Sequence, residues 1–252
     1  MKVLDERKST AAEISRLLEK KSFDEVELSP KVKAAVEKLF GRPLTAAEEV
    51  DMIVNDIRKE GDAKLFAYTK MLDGADLNPE TIKVSEAEFA EAEKAVDPKT
   101  MGAINRAIAN VRKFHEEQLP KTWLTPRAYG SFLGQKMTPV DSVGIYVPGG
   151  TAAYPSSVIM NAVPAKVAGV PRIVMAAPAG RDGKMNPYVL ATAKAIGITE
   201  IYKMGGAQAV AALAFGTETV PKVEKITGPG NIFVTLAKKA VYGHVDIDML
   251  AG

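Results

Sequence analysis

A chain of 252 residues and 27.0 kDa carries 33 basic and 31 acidic side chains, a formal charge of +2, with 46% hydrophobic and 25% charged residues. That balance belongs to a chain with a buried core rather than a disordered one, and a charge so near zero gives no broad hold on nucleic acid or anionic membrane. No apolar run reaches the ~20 residues of a membrane span, residues 1–8 lack the apolar stretch of a secretory signal, and the absence of cysteine removes disulfides, thiolate metal sites and cysteine nucleophiles.

The expected compartment is therefore the cytoplasm. With only His115 and His244, an independent histidine-rich zinc site is not expected within these residues.

Residues 1–120 read as helices. Thr10-Ala-Ala-Glu13 is a capping box ahead of Ile14, Leu17 and Leu18. Ser29-Pro30 places a cap and a first-turn proline before Val32, Val36, Leu39 and Phe40. A second capping box, Thr45 to Glu48, precedes Val50, Ile53, Val54 and Ile57 at helical spacing. Gly61 interrupts that stripe, Leu65, Phe66, Thr69 and Leu72 resume it, and Asp73-Gly74 ends it. Ser85 to Glu88 opens a helix with Phe89, Ala92 and Val96, and a last long helix carries Met101, Ile104, Ile108, Val111 and His115 before Pro120.

Residues 121–150 change character. Tyr129 to Met137 and Val140 to Val147 are rich in β-formers and glycine, with Thr138-Pro139 between them, and predict a hairpin or two short strands. The only tryptophan, Trp123, stands at the junction.

From about residue 143 strands and helices alternate. Strands are expected at Val143 to Val147, Ile173 to Ala177, Glu200 to Met204 and Val223 to Thr227. Helices are expected at Ser156 to Val170, Pro187 to Ile196, Ala207 to Gly216 and Asn231 to Val241. Such alternation predicts an α/β fold, a parallel sheet with helices on both faces, whose ligands sit at the carboxyl ends of the strands.

Three of the strand-to-helix turns are glycine-rich: Val147-Pro-Gly-Gly150, Gly205-Gly-Ala-Gln208 and Gly228-Pro-Gly-Asn231. All three fall on one edge of such a sheet. Glycine lets the backbone approach a ligand, and each following helix offers free N–H groups and a positive dipole end. That suits a pyrophosphate, although none of the three reads G-x-G-x-x-G and no G-x-x-x-x-G-K-[ST] loop exists. For any one of them an ordinary turn that needs positive φ is the preferred reading, and only their number on one edge brings the two readings level.

The side chains around these turns have two readings each. Tyr146, ending a strand, could stack on a nucleotide or pack under a helix with its hydroxyl satisfied. Gln208, in the first turn of an apolar helix, could bond a ribose or amide, or cap its own turn. Asn231 opens a helix, where asparagine is a favoured cap. Ser156-Ser157 could bind phosphate or simply cap. His115, beside Glu116, Glu117 and Gln118, reads as a surface or packing residue. Asp246 and Asp248 share a face of a short strand; with His244 they suggest a metal, but a turn-fixing role for Asp248 fits better. No complete catalytic constellation is visible.

The motifs do resemble one family. Val143 to Ser157 (VGIYVPGGTAAYPSS), Gly205 to Thr217 (GGAQAVAALAFGT) and Val220 to Asn231 (VPKVEKITGPGN) are similar to signature segments of histidinol dehydrogenase, and Ile57 to Asp62, Tyr68-Thr69 and Phe114 to Pro120 agree with it. The resemblance covers nearly the whole chain. It implies incomplete Rossmann-like nucleotide-binding domains of aldehyde-dehydrogenase-like architecture, with residues 1–120 a helical segment and part of the first domain, and 121–252 the NAD-binding domain. It also implies oxidation of L-histidinol to L-histidine, the last step of histidine biosynthesis, through an aldehyde and two hydride transfers to NAD, in a homodimer whose zinc holds the substrate.

Residue by residue, the resemblance carries NAD contacts onto Tyr146, Gln208 and Asn231. The family's next motif, A-G-P-S-E, is reached only as far as Ala251-Gly252. Its substrate serine, zinc ligands and acid–base residues have no counterpart here, so no catalytic or metal residue is assigned, His115 matches a motif without being catalytic, and His244 receives no role. The expectation is a truncated enzyme, inactive by itself. The alternative is a non-catalytic nucleotide-binding or oligomerisation module.

Overall fold

A computed structural model describes residues 5, 7–19, 28–149 and 153–250. The chain forms two compact units, residues 1–43 and 44–252. The first holds α1 (Ala11–Leu18) and α2 (Pro30–Phe40), whose caps are those expected: Thr10 with Glu13 in a closed capping box, and Ser29 ahead of Pro30.

The second unit is built on α3 (Ala46–Tyr68), α4 (Glu86–Ala95), α5 (Pro98–Glu116), β1 (Trp123–Pro126), β2 (Phe132–Gln135), β3 (Ser142–Tyr146), α6 (Pro155–Val167), β4 (Arg172–Ala177), α7 (Pro187–Ile196), β5 (Glu200–Lys203), α8 (Gly206–Phe215), β6 (Lys225–Thr227), α9 (Ile232–Val241) and β7 (Asp246–Ile247). Five strands form one wholly parallel sheet in the order β5-β4-β3-β6-β7. From β3 the chain moves outward through β4 to β5, then crosses back to β6 and out to β7. This is a doubly wound sheet, and its direction reverses between β3 and β6. Helices α6 and α7 pack together on one face of the sheet and α8 and α9 on the other. The outer helices follow that division: α4 packs on α7 and α5 on α6, while α3 covers α8 and α9.

A sheet covered on both faces needs apolar strands. Val143, Ile145, Val174, Met175, Ile201 and Ile226 are accordingly buried, as is α8 from Ala207 to Ala214. The edge at β5 is covered by the segment 82–84, where Val84 N–H donates to Ile201 and Lys203 N–H donates to Ile82.

Gly61 interrupts α3 as expected, with φ 52 and ψ −130. The break frees the Asp62 N–H, which donates to the Glu218 carboxylate at 2.8 Å, and Thr219 Oγ1 donates back to Asp62 at 2.8 Å. A side chain at 61 would start 2.4 Å from that carboxylate. After Tyr68 the helix widens into a π turn, Thr69–Asp73, closed by Gly74 at φ 77.

Two short strands form within Tyr129 to Met137 and Val140 to Val147, as β2 and β3, but the alternative of a hairpin between them is corrected. The hairpin pairs β1 with β2, Trp123 opposite Gln135 and Pro126 opposite Phe132. Tyr129 sits in its turn at φ 60 beside Gly130 at φ 75. Two consecutive left-handed residues reverse the chain there, which outweighs the β-preference of tyrosine. Every residue of both strands is exposed.

One buried group works against the fold. Glu49 on α3 is 4% exposed, its Oε2 has no hydrogen-bond partner, and burial raises its carboxyl to about 7 from an ordinary 4.5. The folded state thus keeps a proton that the unfolded chain releases. The stability contributed by this proton is whole below pH 4.5 and is lost as the pH rises through 7, by roughly 3 kcal/mol in all. Glu49→Gln is expected to match the parent in urea denaturation at pH 4 and to exceed it at pH 8 by up to about that amount. Equal stabilities at both pH values would refute the burial of an unpartnered charge.

Candidate functional site

The three glycine turns lie together at the carboxyl edge of the sheet, after β3, β5 and β6. The first and third flank the point where the sheet reverses direction, the crevice in which sheets of this winding hold ligands. Gly150 of the first turn lies outside the described residues.

Backbone contact draws the turns together. Gly228, at φ 124, rests against the end of β3, where an added Cβ would lie 2.2 Å from the Tyr146 carbonyl oxygen. Gly149 and Gly205 both close on Pro178, at 2.4 and 2.8 Å from such a Cβ. The Tyr146 hydroxyl accepts the Gly206 N–H at 3.1 Å, which ties the first turn to the second. Burial pushes that phenol up to about 12.

Gln208 is fully buried in the first turn of α8. Its Nε2 donates to Asp73 Oδ2 at 3.1 Å, and the same oxygen accepts the Gly205 N–H at 3.0 Å. Gln208 Oε1 has no partner. Burial raises the Asp73 carboxyl to about 6, against the lowering effect of those two hydrogen bonds. Asp73 comes from the end of the π turn and also lines a cleft of about 980 Å³ with Gly149, Pro178, Arg181, Lys184 and Asn186 among others. Gln208 is thus joined to the cleft wall through Asp73.

Asn231 caps α9 as expected, its Oδ1 accepting the N–H groups of Phe233 and Val234 at 3.1 and 3.2 Å. Beside it a buried lysine locks the third turn. Lys238, 2% exposed, donates from Nζ to the Gly228 carbonyl at 3.1 Å and pairs with Asp248, whose Oδ2 accepts the Gly228 N–H at 2.9 Å. Asp248 therefore fixes a turn, the structural reading preferred from sequence, and Asp246 pairs with Lys225.

The structure links Tyr146 to Gln208 through Gly206 and Asp73, and to the Asn231 turn through Gly228. Asp73 and Lys238 were invisible to sequence reasoning. Asp73 showed only as a helix stop, and Lys238 carried no signal within the helix expected at Asn231 to Val241. His115 stacks edge-on with Phe114, and His244 lies with its ring 5.4 Å from that of Phe215. Among the described residues no group of three or more His, Asp or Glu side chains could hold a metal ion, and no helix is long and apolar enough to cross a membrane.

Comparison with known proteins points one way. The family model described as histidinol dehydrogenase matches residues 42–252. Curated histidinol dehydrogenases of Heliobacterium mobile and Bacillus subtilis are 57% and 53% identical to this chain over 204 and 203 residues. Each alignment takes in 81% of this chain and 48% or 47% of the relative, so the chain spans about half the length of the curated relatives it matches. The crystal structure of histidinol dehydrogenase from Elizabethkingia anophelis superposes with a TM-score of 0.78 at 38% identity, over 87% of this chain and 51% of that one.

Two substitutions test the packing of the third turn. Gly228→Ala must displace β3 or abandon φ 124, and a loss of about 2–4 kcal/mol is expected in chemical denaturation. Lys238→Met removes a buried cation and leaves the Asp248 carboxylate and the Gly228 carbonyl without it. A loss of about 3–5 kcal/mol is expected, and one below about 1 kcal/mol would show the pair to be inessential.

Proposed function

Because the chain belongs to the histidinol dehydrogenase family, we propose that its residues form the NAD-holding part of an enzyme that oxidises L-histidinol to L-histidine by way of the aldehyde. That reaction is the last step of histidine biosynthesis. The whole enzyme in this reading is a cytoplasmic, zinc-dependent homodimer.

The observation that carries the reading is the meeting of three glycine turns at the carboxyl edge of a doubly wound sheet, two of them flanking its reversal point, with an unpartnered amide oxygen beside them. Close packing of the backbone at Gly149 and Gly228 gathers the turns, and the first turn of α8 offers N–H groups and a positive dipole end to a pyrophosphate. Tyr146 holds the second turn in place through its hydroxyl. Gln208 keeps Oε1 for a ligand donor. Asn231 keeps Oδ1 on its own helix, which leaves Nδ2 to donate.

NAD, when bound, supplies the acceptor for the hydride. The share of these residues is placement, which the protein contributes to cofactor chemistry. The described residues offer no ligand set for zinc, so no metal role is assigned to them. Turnover of histidinol by these 252 residues alone is expected to be undetectable.

Calorimetric titration with NAD tests the reading. The 252-residue chain is expected to bind, and Gln208→Ala and Asn231→Ala are each expected to weaken binding by about tenfold, the equivalent of roughly 1.4 kcal/mol. A chain that is folded by circular dichroism yet binds no NAD would overturn the assignment of these three residues.

A further inference from the structure

The geometry points to Asp73 as a positioning residue of this site: it sets which end of the Gln208 amide meets the ligand, and so makes the site accept a hydrogen-bond donor there. The inference rests on the cofactor reading above and deepens it.

An amide side chain can present either a carbonyl oxygen or an NH₂ group, and its neighbours decide which. An ionised carboxylate only accepts hydrogen bonds. Asp73 Oδ2, 3.1 Å away, therefore requires the Nε2 end of Gln208. The same Oδ2 takes the Gly205 N–H at 3.0 Å, so the carboxylate is held on two sides and its demand on Gln208 does not rotate away. Oε1 is then the end left over. It is buried and unpartnered, and it lies at Gly206, where a Cβ would come within 2.7 Å of it. Glycine at 206, at φ 56, lets the amide lie directly against the backbone there.

A buried acceptor without a donor is costly, and a ligand that donates to it relieves the cost. Phosphate oxygens at neutral pH only accept, so this spot rejects them. It suits an O–H or amide N–H instead, groups that a dinucleotide carries on its riboses and on its nicotinamide carboxamide. The pyrophosphate is left to the bare glycine turns. Asp73 itself need not touch the ligand.

Two measurements on the 252-residue chain at pH 8 separate this inference from the reading beneath it. The first follows the Gln208 side-chain amide by ¹H–¹⁵N correlation, its signals identified by their loss in Gln208→Ala. In the parent they should be shifted and slow to exchange. Asp73→Ala should return them to the position of a solvated amide, and Asp73→Asn, whose Oδ1 can accept both N–H donors, should largely restore them. Signals unmoved by Asp73→Ala would overturn the inference whether or not NAD binds.

The second is a double-mutant cycle read by NAD affinity. Asp73→Ala is expected to weaken binding about tenfold, Asp73→Asn less than about threefold, and the Asp73→Ala/Gln208→Ala pair no more than about twofold beyond Gln208→Ala alone. Losses that multiply would mean that Asp73 acts only through the Gly205 backbone, and would overturn the inference while the cofactor reading stands. Absence of NAD binding, with the amide signals responding to Asp73, would sink the cofactor reading and leave the amide orientation in place.

Discussion

Backbone meeting backbone at one edge of the sheet is the constraint on which the structure turns. The end of β3 carries the Tyr146 carbonyl, and the turn after β6 lies directly on it because residue 228 has no side chain. That contact brings the first and third glycine turns to the two sides of the crevice where the sheet reverses. The second turn joins them through the Tyr146 hydroxyl. A wider approach at residue 228 would leave the third turn apart from the other two.

The polar groups at that edge come in interlocked sets rather than as isolated contacts. Asp73 and Gln208 serve one turn and Lys238 and Asp248 another, and each set ties backbone N–H or C=O groups to side chains distant in the chain. Buried polar groups cost less when they satisfy one another and fix geometry when they do. Gln208 Oε1 is left out of this pairing at the place where the cofactor is proposed to sit, whereas Glu49 is left out on α3, where the present structure gives it no such use.

Much of this was legible beforehand because the signals are local. The capping boxes at Thr10 and Thr45 close, Ser85 caps the helix it was expected to open, and Gly74 ends its stripe in the left-handed region. The alternation of strand and helix after residue 143 was enough to expect a parallel sheet, which is what forms. The two short strands within residues 129–147 form, but the pairing of the first with Trp123–Pro126 was missed because its turn depends on Tyr129 taking a conformation that its residue type disfavours. Asp73 and Lys238 were missed for a different reason. Their partners lie at Gly205, Gln208, Gly228 and Asp248, and no periodicity in one segment reports a bond to another. Tyr146, Gln208 and Asn231 entered as candidates through their place beside glycine turns, and through family resemblance beyond that.

The position of β3 has a consequence for how the protein comes into being. It is the middle strand, yet it leaves the ribosome before both of its neighbours, and β6, its partner on one side, comes from residues 225–227 after two further strands and three helices. Val143, Ile145 and Tyr146 must therefore wait through most of the synthesis of the sheet with one edge open. Pairings so distant in sequence form slowly and leave apolar strands exposed meanwhile. The nascent chain is thus most vulnerable to misassociation in the interval between the emergence of β3 and that of β6, and slower translation across that interval would lengthen the exposure.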